Sequence, residues 1–130
     1  MIVAGFGFRG QATEASLRDA LAQVMAQVMG GGAAGDAVGA LATAADKADA
    51  TCIISLAQGL SLPILAVAEP QLQLASPQTH SPHSLNARGT GSVAEAAALA
   101  AAGPGARLLG VRAISGDRLA TAALATGAEP

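Results

Sequence analysis

Near its start the chain runs Ile2-Val3-Ala4-Gly5-Phe6-Gly7-Phe8-Arg9-Gly10, an apolar stretch that passes at once into closely spaced glycines and a single arginine. Thr13 and Glu14 follow and open a long amphipathic segment. This order predicts strand, glycine-rich loop, helix. A turn of that kind leaves backbone N–H groups free at a helix start, and Gly5, Gly7 and Gly10 carry no Cβ to keep a ligand away from them. Arg9 adds a planar fork that matches a carboxylate or phosphate. Anion capture is the predicted chemistry. The spacing also satisfies G-x-G-x-x-G, but no acidic residue stands about twenty positions on in a βαβ frame to hold a ribose. A plain glycine turn joining strand to helix explains the same residues.

The rest of the chain repeats the alternation. With Thr13 as N-cap, Leu17, Leu21, Val24 and Val28 recur at helical spacing as far as about Met29, while Glu14, Arg18, Asp19 and Gln23 take the other face. Gly30-Gly31-Gly32 ends that helix. Residues 37–42 are short and apolar and are expected to form a second strand; 43–49 make a polar island. Residues 51–58 are expected to be helical and closed by Gly59. Residues 62–67 have the compact apolar character of a buried parallel strand, and Glu69-Pro70 suits the start of a short helix through Leu74. The stretch 76–91 is the longest without periodicity and holds His80, His83, Asn86 and Arg88. Ser92-Val93-Ala94-Glu95 then reads as a capping box for an alanine-rich helix to Ala102, stopped by Gly103-Pro104-Gly105. Two apolar runs, 107–114 and 118–125, flank Ser115-Gly116-Asp117, a hairpin signal.

These elements add up to one α/β domain over residues 1–130: a three-layer αβα sandwich on a mixed, mostly parallel sheet of about five strands, ending in a C-terminal hairpin. Composition narrows what such a domain does. Two phenylalanines are the whole aromatic inventory and the net charge is −2, which excludes base-stacking platforms and basic patches for nucleic acid. The single cysteine, Cys52, rules out an intrachain disulfide or a cysteine-cluster metal site and is expected in the core. No apolar run has the length of a membrane span, and no leader pattern opens the chain, so a cytoplasmic location is expected. Lys47 is the only lysine beside six arginines.

In open α/β sheets, ligands lie beyond the carboxyl ends of the parallel strands. That edge is expected to gather the 5–10 loop, the turn from Thr43 to Lys47, the turn from Val67 to Pro70, and the start of the Ser92 helix behind Gly89-Thr90-Gly91. Arg9 and Lys47 between two glycine-lined helix starts suit a ligand with several negative groups. His80, His83 and Glu95 are the candidates for acid or base work. Each has a structural alternative: Glu95 as the reciprocal partner of the Ser92 cap, the histidines as solvated loop residues. The spacing His80-x-x-His83 admits a metal only if a carboxylate joins it; no metal or cofactor is expected. No nucleophile elbow surrounds Ser81 or Ser84.

On the opening Gly5-Phe6-Gly7-Phe8-Arg9, on Ala42-Thr43 with Lys47, on Pro63-Ile64, and above all on Gly91-Ser92-Val93-Ala94-Glu95-Ala96-Ala97-Ala98, the chain resembles a cobalamin-biosynthesis family. That family comprises CobE and the C-terminal domain of CbiG. The resemblance runs over nearly the whole length, and a chain without the CbiG N-terminal region is more similar to the CobE form. It implies a role in building the corrin ring, binding a precorrin-type tetrapyrrole as carrier or accessory, with other enzymes of the pathway as further partners. It also implies the alternative of a hydrolase that opens a precorrin lactone and releases a two-carbon fragment, with Glu95 or His83 as general base. A third reading, from the residues alone, is a nucleotide-binding α/β module. A precorrin is an apolar macrocycle fringed by carboxylates. Arg9 and Lys47 are the expected carboxylate partners, Gly5, Gly7, Gly91 and Ser92 the backbone donors, and Thr43 the hydroxyl.

Overall fold

The computed structural model describes residues 2–29, 38–68, 90–103, 106–109 and 112–127, and of residues 28, 29 and 90–92 the backbone alone. The expected helix after Pro70 and both histidines lie outside the described residues. Within them the elements follow as β1 (Ile2–Phe8), α1 (Glu14–Met29), β2 (Val38–Ala44), a 3-10 turn (Ala45–Lys47), α2 (Thr51–Leu60), β3 (Ile64–Val67), α3 (Thr90–Ala102), β4 (Arg107–Leu108), β5 (Ala113–Ile114) and β6 (Ala120–Thr126).

The sheet runs β3-β2-β1-β6-β4, with β5 also on β6. β1, β2 and β3 pair in parallel, and β6 pairs antiparallel with β1, β4 and β5. It follows that β6 alone runs against the other strands, the mixed and mostly parallel sheet expected. The hairpin turn also falls at 115–118, where Ser115 O accepts from the Arg118 N–H at 2.9 Å. Its first arm, however, is two short strands: the partners are Arg107↔Thr126 and Leu108↔Ala125, then Ala113↔Ala122 and Ile114↔Thr121, a slip of two residues between the pieces. Six strands therefore replace the five expected.

Strand alternation sends β1 to two different cores. Ala4, Phe6 and Phe8 join Leu41, Ala120, Ala122 and Leu124 under α1 and α2, which bring Leu17, Leu21, Val24, Ile53 and Leu56. Val3 faces the opposite layer with Ala42, Ala44, Val67, Ala96 and Ala97, where α3 lies across the sheet. The alanine content has its reason here. A Cβ added at Gly5 would stand 2.2 Å from Ala94 O and 2.6 Å from Ala98 N, so the helix backbone rests directly on the strand. Small residues on α3 permit that approach.

Three local readings change. Gly5 and Gly7 belong to β1 rather than to a loop, because the strand continues to Phe8 on seven successive pairs with β6. Gly59 lies inside α2, and the stop is made by Ser61 in the left-handed region (φ 59°), with the Leu62 N–H reaching back to Ala57 O at 3.0 Å. α3 starts at Thr90, two residues before the expected cap.

Candidate functional site

β1 and β2 are adjacent and parallel, so their carboxyl ends open on the same side of the sheet, and α3 begins there. A cleft of about 300 Å³ occupies this corner, lined by Gly7 and Phe8 at the end of β1, Thr43 and Ala44 at the end of β2, Asp46 and Lys47 on the 3-10 turn, and Val93 in the first turn of α3. Apart from Thr43 the floor is apolar or glycine, and the charges sit on the single turn that follows β2. Because the first four N–H groups of a helix have no partner within it, α3 also presents backbone donors at this end.

Lys47 is held in a defined place. Its ammonium nitrogen lies over the Phe8 ring, 5.5 Å from the centroid, within the reach of a cation–π attraction. Phe8 is itself 5% exposed and packed under α1 and α2. Thr43 is fully buried, and its hydroxyl donates to Phe6 O at 2.9 Å, across the β1–β2 pair. That bond uses the one proton of the hydroxyl, so Thr43 Oγ1 has only acceptor capacity left toward the cleft.

Of the residues expected at a ligand, Gly7, Thr43 and Lys47 come together on this cleft. Gly91 and Ser92 are in the first turn of α3, beside Val93. Arg9 follows Phe8, is exposed, and donates its N–H to Leu119 O at 2.9 Å; it lies at the mouth end of β1 and outside the lining. Gly5 is beneath α3, where the absent Cβ serves helix packing. Glu95 is not on the lining. It is 2% exposed, and its Oε2 lies 3.7 Å from Arg112 Nη1, an ion pair between α3 and the residue before β5. His83 lies outside the described residues. Phe8, Ala44, Asp46 and Val93 were not singled out in the sequence, although the 5–10 stretch, the 43–47 turn and the start of the Ser92 helix that contain them were expected at this edge.

Cys52 stands in the first turn of α2, half-buried. Burial pushes its thiol up, against the opposing pull of nearby backbone N–H groups and the Lys47 charge. Cys52 is not among the residues that line the cleft. Among the described residues no group of three His, Cys, Asp or Glu side chains is placed to hold a metal, and no helix is long and apolar enough to cross a membrane.

No curated protein matches the chain. Among solved structures, it is similar to cobalamin biosynthesis protein chiG from Agrobacterium tumefaciens str. C58, with 36% identity over 99% of this chain and 100% of that one, at a TM-score of 0.72. It is similar also to CobE, a protein from the cobalamin (vitamin B12) biosynthetic pathway, with 34% identity over 96% of this chain and 89% of that one, at a TM-score of 0.78. A cobalamin biosynthesis protein G homolog from Sulfolobus solfataricus shares the fold at 22% identity and a TM-score of 0.71; the match covers 98% of this chain and 37% of that one. The family model for the C-terminus of cobalamin synthesis G matches residues 2–125. With a parallel-strand corner, an alanine-packed α3 and these likenesses together, the chain belongs to the cobalamin synthesis G C-terminal family, the group that its opening and α3 motifs resemble.

Proposed function

We propose that this cobalamin-pathway protein binds a precorrin-type tetrapyrrole by its carboxylate arms, as a carrier or accessory to the pathway's enzymes. The observation that carries the reading is the cleft at the carboxyl ends of β1 and β2, where Lys47 and the first turn of α3 supply donors around an apolar floor. A cleft of about 300 Å³ is at the lower end of the range for small-molecule sites, so it takes one edge of a macrocycle rather than the ring. Lys47 and Arg9 then hold carboxylates, Gly7, Gly91 and Ser92 contribute backbone positions close to them, and buried Thr43 ties the end of β2 to β1 beneath the ligand. Gly5 contributes indirectly, by letting α3 lie close enough for its first turn to overhang the cleft.

Titrating the protein with hydrogenobyrinic acid and following its absorption spectrum tests this. Lys47→Ala and Arg9→Ala are each expected to weaken binding by roughly 1–3 kcal/mol, the range for losing a charged hydrogen-bond partner, with thermal melting unchanged. Wild-type affinity in both variants removes the assignment.

A second reading, opening of a precorrin lactone with release of a two-carbon fragment, draws support from Asp46, a carboxylate on the cleft wall where a general base would have to act. A product lighter by that fragment, absent with Asp46→Asn, is its signature. For a nucleotide-binding module the support is weaker, because Gly5 and Gly7 lie within β1 and Gly5 is taken up by α3.

A further inference from the structure

We propose that Phe8 is a positioning residue for Lys47, so that the ammonium waits at the cleft in the place where a ligand carboxylate arrives. The inference rests on the reading of Lys47 as a carboxylate partner and extends it to a residue outside the charged set. Three observations carry it. Both residues line the same cleft. The ammonium nitrogen sits over the ring at 5.5 Å from the centroid. The ring is fixed, because Phe8 ends β1 on a register pair with Ala120 and is buried among α1 and α2 side chains.

The physical consequence concerns entropy. A lysine side chain has several freely rotating bonds, and whatever part of that freedom is lost on gripping a ligand subtracts from affinity. An ammonium already resting on a rigid aromatic face has lost part of that freedom before the ligand comes. The ring face attracts the cation without neutralising it, unlike a carboxylate partner, so the full charge stays available to an incoming anion. Phe6, the other aromatic residue, has its backbone carbonyl committed to Thr43 and is fully buried, which leaves Phe8 as the aromatic wall of the cleft.

Lys47 is the only lysine, so lysine labelled with 13C at the ε carbon gives one signal from the whole protein. Over a ring face that signal is displaced upfield, and Phe8→Leu is expected to return it to the free-lysine position. The same substitution is expected to weaken hydrogenobyrinic acid binding about three- to thirtyfold, the upper end being the loss of a lysine's whole rotamer freedom on gripping the ligand. In a Lys47→Met background, Phe8→Leu is expected to change binding no further. Equal weakening in both backgrounds assigns Phe8 a structural role only and overturns the proposal; so does a lysine signal that Phe8→Leu leaves in place. If Phe8→Leu does not fold, Phe8→Met, which keeps more of the apolar volume, carries the same comparison. Failure of the wild-type protein to bind hydrogenobyrinic acid removes the underlying reading and this one with it, whereas wild-type binding weakened by Lys47→Met and untouched by Phe8→Leu removes this one alone.

Discussion

At the scale of single residues, Gly5 and Glu95 show how much a side chain's meaning depends on what is packed against it. Gly5 has helix backbone where a Cβ would be, and backbone cannot swing aside. Gly5→Ala is therefore expected to cost about 3 kcal/mol or more, read as a fall in the denaturation midpoint, because α3 must lift off the sheet to admit one methyl. An unchanged midpoint would show that the helix shifts freely. Glu95 is buried beside Arg112, whose side chain is 38% exposed. Arg112 left alone can turn to water, so Glu95→Ala is expected to lower stability by about 1–2 kcal/mol, mostly through the lost buried contacts of the carboxylate. Tetrapyrrole affinity per folded molecule stays at the wild-type value if the carboxylate is structural; loss of ligand turnover without loss of stability would restore it as a catalyst. Neither role was legible beforehand. A glycine that admits a ligand and a glycine that admits a helix have the same letter, and Ser92-x-x-Glu95 spells a cap whether or not the helix has begun at Thr90.

Elements were more legible than residues, because periodicity and turn chemistry are local. The α1 face of Leu17, Leu21 and Val24 is buried as its spacing requires, and the Ser115-Gly116-Asp117 turn stands where it was expected. What the turn does beyond reversing the chain was hidden, since its partners lie about a hundred residues away. Ser16 Oγ donates to Asp117 Oδ2 at 2.6 Å and the Gly116 N–H to Asp19 Oδ2 at 2.6 Å, which fastens the hairpin to the first two turns of α1. Ser115 Oγ and the Leu119 N–H also donate to Asp117 Oδ1. The Ser115 hydroxyl first, then those of Ser16 and the Leu119 N–H, favour the charged form and hold the Asp117 carboxyl below the usual aspartate range. Because the folded value is the lower one, this contribution to stability is complete above the ordinary aspartate value and is lost as the pH falls through the lowered one. Thermal melts of Asp117→Asn are expected to lie below wild type at neutral pH and to converge with it on acidification. A gap that stays constant with pH would mean that the charge is not what fastens the turn.

For the molecule as a whole, the layer order and the position of the cleft followed from a general rule: parallel strands need crossovers, and crossovers leave helix starts at the carboxyl edge. Lys47 was legible as the lone lysine on a turn at that edge. Its aromatic support was not, because Phe8 read simply as an apolar residue of the first run. The sheet order has a consequence for how the chain is made. β1 is synthesised first, yet one of its two neighbours is β6, the last strand described, paired along all seven residues of β1. Until more than a hundred further residues have left the ribosome, that side of β1 offers unsatisfied amide and carbonyl groups together with Phe6 and Phe8, the exposure on which strands from neighbouring nascent chains associate. Closure of the sheet is thus a late, long-range event, and a helper that shields the β1 edge during translation would raise yield without touching the stability of the finished fold.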